Sequence, residues 1–385
     1  MDWYLDEQSL ALQYYAATPG QRTFKVRVDA LCDYVRPLVL KAFIQRSKTW
    51  DIITSDSDPR TPDLLYEDLD WKEILRGQVV ANSYCVRKGL SRKAQLSIFL
   101  SKYIRKHPGC ILSKALPETL VVDLWDAFDQ SLADLGVSFR NRLESCLWEV
   151  KQLFDPDNQH AYAPDSCWIM KPSATNKVRV YVVAVGALQV YVYQNVLLLT
   201  SLNAYDPNNV DDKLSHITNT YQQQDHPDFV EADCVLLLED MERILTQDRH
   251  MSATDAKSVT TTMLADIGAI TREVFAAYRG EFSVFQPLPN CFEVYGVDFV
   301  VDEDFHVWLL EVGGFDIVNP GPDFKQTGGR LQPLIQTLFE GMVDIVTDTF
   351  FTTPTTPTTP TTYPAFEKVY DDNWGTSASM TFRED

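Results

Sequence analysis

Apolar positions along the chain change their spacing several times, and each change predicts an element. Phe24, Val26 and Val28 alternate with polar residues, a period of two that predicts a strand over Phe24–Val28, with a helix following over 31–44. Over 85–106 the apolar residues Leu90, Leu96, Phe99, Leu100, Tyr103 and Ile104 recur at threes and fours. That spacing predicts a helix with its basic residues on the other face, stopped by His107-Pro108-Gly109. A helix is also expected over 117–153, with Pro117 near its start. From Trp168 to about Leu199 the pattern is that of strands. A polar loop over 203–224, a helix over 231–279, a strand pair over 291–312 and a helix over 330–349 follow.

The most apolar run, VRVYVVAVGALQVYVYQNVLLL (178–199), is long enough to span a membrane. Arg179, Gln189, Gln194 and Asn195 interrupt it, it is β-branched, and Gly186 lies near its middle, so two buried strands joined near Gly186 are expected instead. Beyond the last helix, FTTPTTPTTPTTYP (351–364) is a Thr-Thr-Pro repeat that cannot pack a core and reads as an extended linker. Residues 365–385 are rich in Asp, Glu, Ser and Thr and are expected to be a disordered acidic tail. Tyr370, Trp374 and Phe382 within it are the candidates for a short docking motif.

Charge changes this picture in one place. The balance of 34 bases against 54 acids gives a net charge of −20, which disfavours nucleic acid and anionic membranes as partners. Yet no acid occurs between Ile74 and Pro117, where nine bases fall: Arg76, Arg87, Lys88, Arg92, Lys93, Lys102, Arg105, Lys106 and Lys114. That stretch is either a solvated helix face or a dock for an acidic partner. The seven cysteines are widely spaced with no CxxC pair, and the six histidines do not join them, so neither a disulfide scaffold nor a zinc site is expected. Reduced thiols fit a cytoplasmic protein, and the N-terminus has no signal-peptide pattern.

The strongest chemical signal is CFEVYGVDFVVDEDFHVWLLEV (291–312), two apolar runs around the acidic turn Asp302-Glu303-Asp304. With an even loop, Val301 faces His306, Asp298 faces Leu309 and Gly296 faces Glu311. Asp298 and Glu311 then lie diagonally on one face beside bare Gly296, while an odd loop separates them. The other face would carry Val297, Phe299, Val301, His306, Trp308 and Leu310 as core. Two carboxylates on one face suit a hard cation such as Mg2+, which shares its oxygen ligands with phosphates; the rival reading is a half-exposed hairpin with two solvated acids.

Several segments, in order, resemble the tubulin-tyrosine ligase-like family. WIMKPS (168–173) is similar to its Trp-Ile-x-Lys-Pro-Ser, VRVYVVAVGALQVYVY to its Ile-Arg-x-Tyr/Trp-Val-Leu strand pair, and HITN (216–219) to its His-Leu-Thr-Asn. VYGVDFVVDEDFHVWLLEV looks like its Phe-Gly-x-Asp-Phe…Trp-Leu-Leu-Glu-Val-Asn. The resemblance covers roughly 25–350 and is strongest toward fungal members, some found with mRNA-decay granules and some carrying a nucleotidase-like domain in front, which is not expected here. It implies an α/β, ATP-grasp-like fold with a small N-terminal α/β domain. The implied organisation is a lead-in (1–22), an N-terminal and linking region (23–164), a catalytic region (165–350), the Thr/Pro linker (351–364) and the tail (365–385).

The implied activity is ATP- and Mg2+-dependent ligation of an amino acid to a protein carboxylate through an acyl phosphate. Carried over residue by residue, Lys171 and Lys177 face phosphate, Asn219 helps hold the nucleotide, Arg179 acts in catalysis, and Asp298 and Glu311 hold Mg2+. The implied acceptor is tubulin or another acidic protein, with mRNA-decay proteins as further partners; a monomer that binds neither nucleic acid nor membrane is expected.

Three departures stand against the resemblance. The family follows its second lysine with a Gly-x-Gly turn and several dozen residues, including strands that grip adenine, whereas here Lys177 runs directly into Val178, leaving the ATP-grasp strands incomplete. The Glu-Val-Asn signature is interrupted after Glu311-Val312 by residues 313–318, which displaces the candidate third metal ligand to Asn319. Gln194 stands where a basic residue is usual, which puts contacts to a substrate carboxylate in doubt. One loss and one insertion with good matches on both sides read either as exon-boundary errors in the gene structure of an active ligase or as lesions in a catalytically impaired binding module. Sequencing the transcript across both junctions separates these.

Overall fold

The computed structural model describes residues 24–30, 35–46, 49–53, 60–67, 69–121, 142–159, 161–162, 178–206, 208–209, 211–218, 223, 225–314, 332–352 and 362–372. The first layer holds β1 (Phe24–Val28), α1 (Val35–Ile44), β2 (Trp50–Ile53), β3 (Leu64–Tyr66), α2 (Trp71–Leu75) and β4 (Val80–Ala81). Its strands form a parallel sheet of order β2-β1-β3-β4. Parallel strands need crossovers, and α1 and α2 are two of them. A linking stretch follows, with α3 (Lys88–Ser91), α4 (Lys93–Lys106), α5 (Leu112–Ala115) and α6 (Arg142–Leu153).

The remainder is built on β5 (Val178–Val185), β6 (Gln189–Tyr193), β7 (Leu198–Leu199), α7 (Lys213–His216), α8 (Glu231–Cys234), β8 (Val235–Leu236), α9 (Leu238–Gln247), α10 (Ala253–Ala277), β9 (Phe292–Val301), β10 (Val307–Gly314), α11 (Gln332–Phe350) and β11 (Phe366–Asp371). An antiparallel sheet of order β10-β9-β5-β6-β11 organises it, and β7 pairs with β8 alone. Gly186, at φ +60°, makes the tight return between β5 and β6 where the sequence places it. The long apolar run is explained by burial on both faces. Tyr181, Val183, Val185, Tyr193 and Val294 pack with α11, α1 and the parallel sheet. Val180, Val182, Ala184, Tyr295 and Val297 pack with α4 and α10. Arg46 at the end of α1 forks onto Asp344 of α11, with Nη2–Oδ2 at 2.6 Å, and Trp50 donates to Thr347 at 3.0 Å, tying the parallel layer to the same helix. Among the described residues no helix is long and apolar enough to cross a membrane.

Several expected elements are subdivided. The 85–106 helix breaks at Arg92, whose extended backbone (φ −104°, ψ 120°) ends α3 and begins α4. Of the helix expected over 117–153, residues 117–121 are not helical, α6 covers Arg142–Leu153, and 122–141 lie outside the described residues. The 231–279 helix is α8, β8, α9 and α10, because Val235-Leu236 pair with β7 and Ser252 caps a new start by accepting from the Asp255 N–H at 3.1 Å.

The largest correction concerns the tail, where residues 366–371 form a strand and are not disordered. Composition misleads here because two glycines elsewhere leave clefts for its apolar residues. Phe366 occupies the space over Gly341 of α11, where a Cβ would lie 2.3 Å from its ring, and Val369 rests 3.4 Å from the corresponding point over Gly268 of α10. Phe366 is buried and its ring sits 5.0 Å from that of Tyr193. Arg279 pairs with Asp372 at 3.1 Å, and the Gln194 N–H donates to Ala365. Of the suggested docking residues, Tyr370 is part of this strand, while Trp374 and Phe382 lie outside the described residues. Phe366→Ala should therefore destabilise the fold by about 3–5 kcal/mol in urea unfolding, as for a core aromatic and unlike a residue of a solvated tail.

Candidate active site

The site is a row of charges across three neighbouring strands. The register pairs Arg179 of β5 with Asp298 of β9, and Asp298 with Glu311 of β10. Residues paired across antiparallel strands share a face, so the row is set by backbone hydrogen bonding. The sequence expectation of an even hairpin loop is not met. Val307 pairs with Val301, leaving the five residues 302–306 as the loop, and that alone would put Leu310 opposite Asp298. A β-bulge between Leu309 and Glu311 shifts the register by one and brings Glu311 directly across from Asp298. The predicted core face changes with it. Val307, Leu309 and Val312 are buried beside Val297 and Phe299, whereas His306, Trp308 and Leu310 are only half-buried.

The loop is held by its own first acid. Asp302 accepts from the Asp304 N–H at 3.1 Å, the His306 N–H at 2.9 Å and the Trp308 Nε1–H at 2.8 Å, and the Trp308 bond leads in lowering its pKa. Asp302 is thus a turn-closing residue. The site's own acids are paired with cations. Arg179 Nε lies 3.3 Å from Asp298 Oδ1, and its stem runs over Gly296, with Nε and Cδ at 3.5 and 3.6 Å from where a Cβ would be. Lys93 Nζ, at the first residue of α4, lies 2.6 Å from Glu311 Oε2. Asp298 is 2% exposed.

Lys93 is the residue against the row that the sequence does not single out. It was counted in the basic stretch, where helical spacing assigns it to a solvent face, and only the packing of α4 against β10 brings it to Glu311. The stretch itself is less free than its composition implies. Arg76 pairs with Glu73, Arg87 with Glu293, and Lys102 with Glu281 at 3.7 Å. Among the described residues Lys88, Arg92, Arg105, Lys106 and Lys114 form no ion pair.

The structure brings together Arg179, Asp298 and Glu311. Lys171, Lys177, Asn219 and Asn319 lie outside the described residues. The inserted Gly313-Gly314 extend β10 and pair with Gly296 and Tyr295. Gln194 donates to Glu367 of β11 at 3.4 Å, so its side chain is turned to the tail strand. Among the described residues no three His, Cys, Asp or Glu side chains gather into a metal cluster.

A second buried acid, Glu293, faces the opposite side of β9 from Asp298. It pairs with Arg87 and accepts from the Tyr84 N–H at 3.2 Å and the Tyr295 hydroxyl at 2.9 Å. Burial pushes its pKa up to about 7, against the lowering effect of Arg87. A carboxyl raised in the folded state stabilises most below its unfolded value, about 4.5, and that contribution is lost as pH rises through about 7. Urea unfolding across that window should show a decline on the order of 2–3 kcal/mol that is absent in Glu293→Gln.

Residues 177–355 match the tubulin-tyrosine ligase family model. Over that segment the chain is similar to the tubulin-tyrosine ligase family. The match begins at Lys177 and contains Arg179, Asp298 and Glu311. A probable tubulin–tyrosine ligase of Schizosaccharomyces pombe is 27% identical over 86% of this chain and 93% of its own. The probable tubulin–tyrosine ligase PBY1 of Saccharomyces cerevisiae is 29% identical over 80% of this chain, but that match spans only 48% of its own length. In three dimensions the chain resembles the C-terminal domain of K. lactis Pby1, described as an ATP-grasp enzyme interacting with the mRNA decapping enzyme Dcp2. That likeness has a TM-score of 0.58 and 20% identity, covering 91% of this chain and 99% of that one. The fold is thus α/β and ATP-grasp-like.

Proposed function

We propose that the protein is an ATP-dependent ligase that joins an amino acid to a carboxylate of an acidic protein, tubulin or another acceptor, through an acyl phosphate. The observation that carries this reading is the Arg179–Asp298–Glu311 row within the family segment, with Lys93 closing on its end. A carboxylate oxygen of the acceptor attacks the terminal phosphorus of ATP and ADP leaves. The amine of the incoming amino acid then attacks the acyl carbon, loses a proton, and displaces phosphate. Both steps gather negative charge on phosphate oxygens, which fixed cations stabilise. Arg179 and Lys93 would supply two of these cations, and the family resemblance assigns Lys171 and Lys177 to phosphate and Asn219 to the nucleotide.

The residues present fit Mg2+. Two carboxylates facing each other across β9 and β10, one nearly fully buried, are the hard-oxygen donors that this ion takes alongside phosphate. Asp298 and Glu311 would hold it, with Asn319 as third ligand, and its chemistry is to neutralise phosphate charge. Arg179 and Lys93 keep the acids compensated otherwise.

Incorporation of labelled Tyr or Glu into tubulin tails or other acidic acceptors tests the proposal. It should require Mg·ATP and fall at least a hundredfold in Arg179→Ala, the loss of one preorganised cation being worth ~3 kcal/mol. No incorporation by a chain with verified exon junctions would contradict it.

A second reading, a binding module of the same fold, is favoured by the five bases of the linking stretch without ion pairs and by the direct Lys177–Val178 junction. Its partner would be acidic, and the K. lactis neighbour's interaction with the mRNA decapping enzyme Dcp2 supports a partner in mRNA decay. Charge reversal at Lys88, Arg92, Arg105 and Lys106 is the appropriate test, since Arg87 and Lys93 are engaged within the fold. Partner capture should weaken most at low salt, where exposed charges act furthest; unchanged capture would leave the stretch a solvated face.

A further inference from the structure

We infer that the pair of half-buried Arg87 with buried Glu293 is a positioning clamp that sets the start of α4 so that Lys93 meets Glu311. The inference rests on reading the Asp298–Glu311 pair as the site. Glu293 is 2% exposed, and Arg87, the Tyr84 N–H and the Tyr295 hydroxyl converge on its carboxylate. An ion pair with a buried acid is a poor source of net stability compared with apolar packing, but it fixes geometry because the buried carboxylate must keep its donors. Arg87 is also bound to Ser83, so the chain from Ser83 to Arg87 is gathered onto β9.

The next residues are held as tightly. The Gly89 N–H donates to Val284 O at 2.9 Å, and Tyr278 donates its hydroxyl to Gly89 O at 2.7 Å. A Cβ at Gly89 would lie 2.5 Å from the side chain of Val284, so α3 touches that segment with its backbone. Then comes Arg92, in extended conformation and without a side-chain cap on α4. The start of α4 is not fixed by capping; the clamp on α3 holds it from one side, and the Lys93–Glu311 contact from the other. Arg87 and Glu293 are thus positioning residues that touch neither the acids of the row nor Arg179.

The reactivity of the Lys93 amine reads this directly in the full-length chain, with neither ATP nor acceptor present. The Lys93 side chain is 20% exposed and its amine is held against Glu311, so a soluble acetylating reagent reaches it poorly, and its acylation, quantified by peptide mass spectrometry, should be slow in the wild type. Glu311→Gln should raise its rate about fivefold or more, because loss of the charge-assisted contact frees the amine to meet the reagent. Arg87→Met and the milder Glu293→Gln should raise it as well, with Lys257 and Lys368 unchanged, and neither should add to the effect of Glu311→Gln. Arg87→Lys, which keeps the charge, should restore part of the protection. A Lys93 rate untouched by both Arg87→Met and Glu293→Gln would overturn the clamp. So would a rise shared by all lysines, which marks general loosening. Failure of ligase activity leaves this readout intact, so the two proposals fall separately.

Discussion

Offered Mg·ATP, the 385-residue chain should bind it with a dissociation constant no better than millimolar, and should bind GTP nearly as well. The phosphate-side groups are point charges, which attract any triphosphate. The base needs an apolar slot, and burying ~120 Å2 of a purine face is worth about 3 kcal/mol, on the order of a hundredfold in affinity. Here Lys177 leads directly to Val178, the first residue of the central strand β5, so the adenine-gripping strands and the glycine turn of the family have no counterpart at this junction. A form carrying that segment between Lys177 and Val178 should bind ATP at least a hundredfold tighter and discriminate against GTP. Competition titrations on both forms decide the matter; sub-millimolar, adenine-selective binding by the present chain would refute the account of the junction. Poor expression, which the same loss leads one to expect through exposed sheet edges, is less forced by the structure, because β11 covers the edge of β6.

Replacing one acid of the row should separate nucleotide binding from folding. In the form carrying the segment, Asp298→Asn should abolish the Mg2+-dependent part of the rise in melting temperature that ATP produces. Taken as a surface hairpin, the mutant would leave the apo fold untouched, but the observed contacts predict a cost. Asp298 is buried and compensates Arg179, which is itself 14% exposed, so removing the charge should destabilise the apo protein by about 3 kcal/mol. Glu311→Gln, 12% exposed against 2% for Asp298 and paired with Lys93, should lose the Mg2+ response at a smaller apo cost. Differential scanning calorimetry with and without Mg·ATP measures both quantities. An unchanged Mg2+-dependent shift in Asp298→Asn would retire the metal role.

Much of the sheet could be read from the chain because its signals are local. β5, β6, β9 and β10 are dense in β-branched residues, and Gly186 marks their first return. The ion pairs of the site could not. That Asp298 and Glu311 belong together was legible from the hairpin, but the pairing arises through a five-residue loop and a bulge, two departures from simple alternation that compensate each other. No periodicity encodes a bulge. Lys93 and Glu293 were hidden for a different reason: each finds its partner across a distance in sequence, Glu311 and Arg87, and charge counting places such residues on the surface. The tail strand was hidden because Gly268 and Gly341, which make room for it, lie in helices well upstream.

The central claim is that a carboxylate of the acceptor is activated by phosphorylation, and it has an isotopic signature. An acidic acceptor peptide with 18O in all its carboxylates, side-chain and C-terminal, is incubated with the segment-bearing form, Mg·ATP and Tyr or Glu, and the released phosphate is analysed by mass spectrometry. The attacking carboxylate oxygen stays on phosphorus when the amine displaces phosphate, so one 18O should appear in phosphate for each amino acid joined. Ligation that leaves phosphate unlabelled, or places the 18O in AMP, would contradict the account.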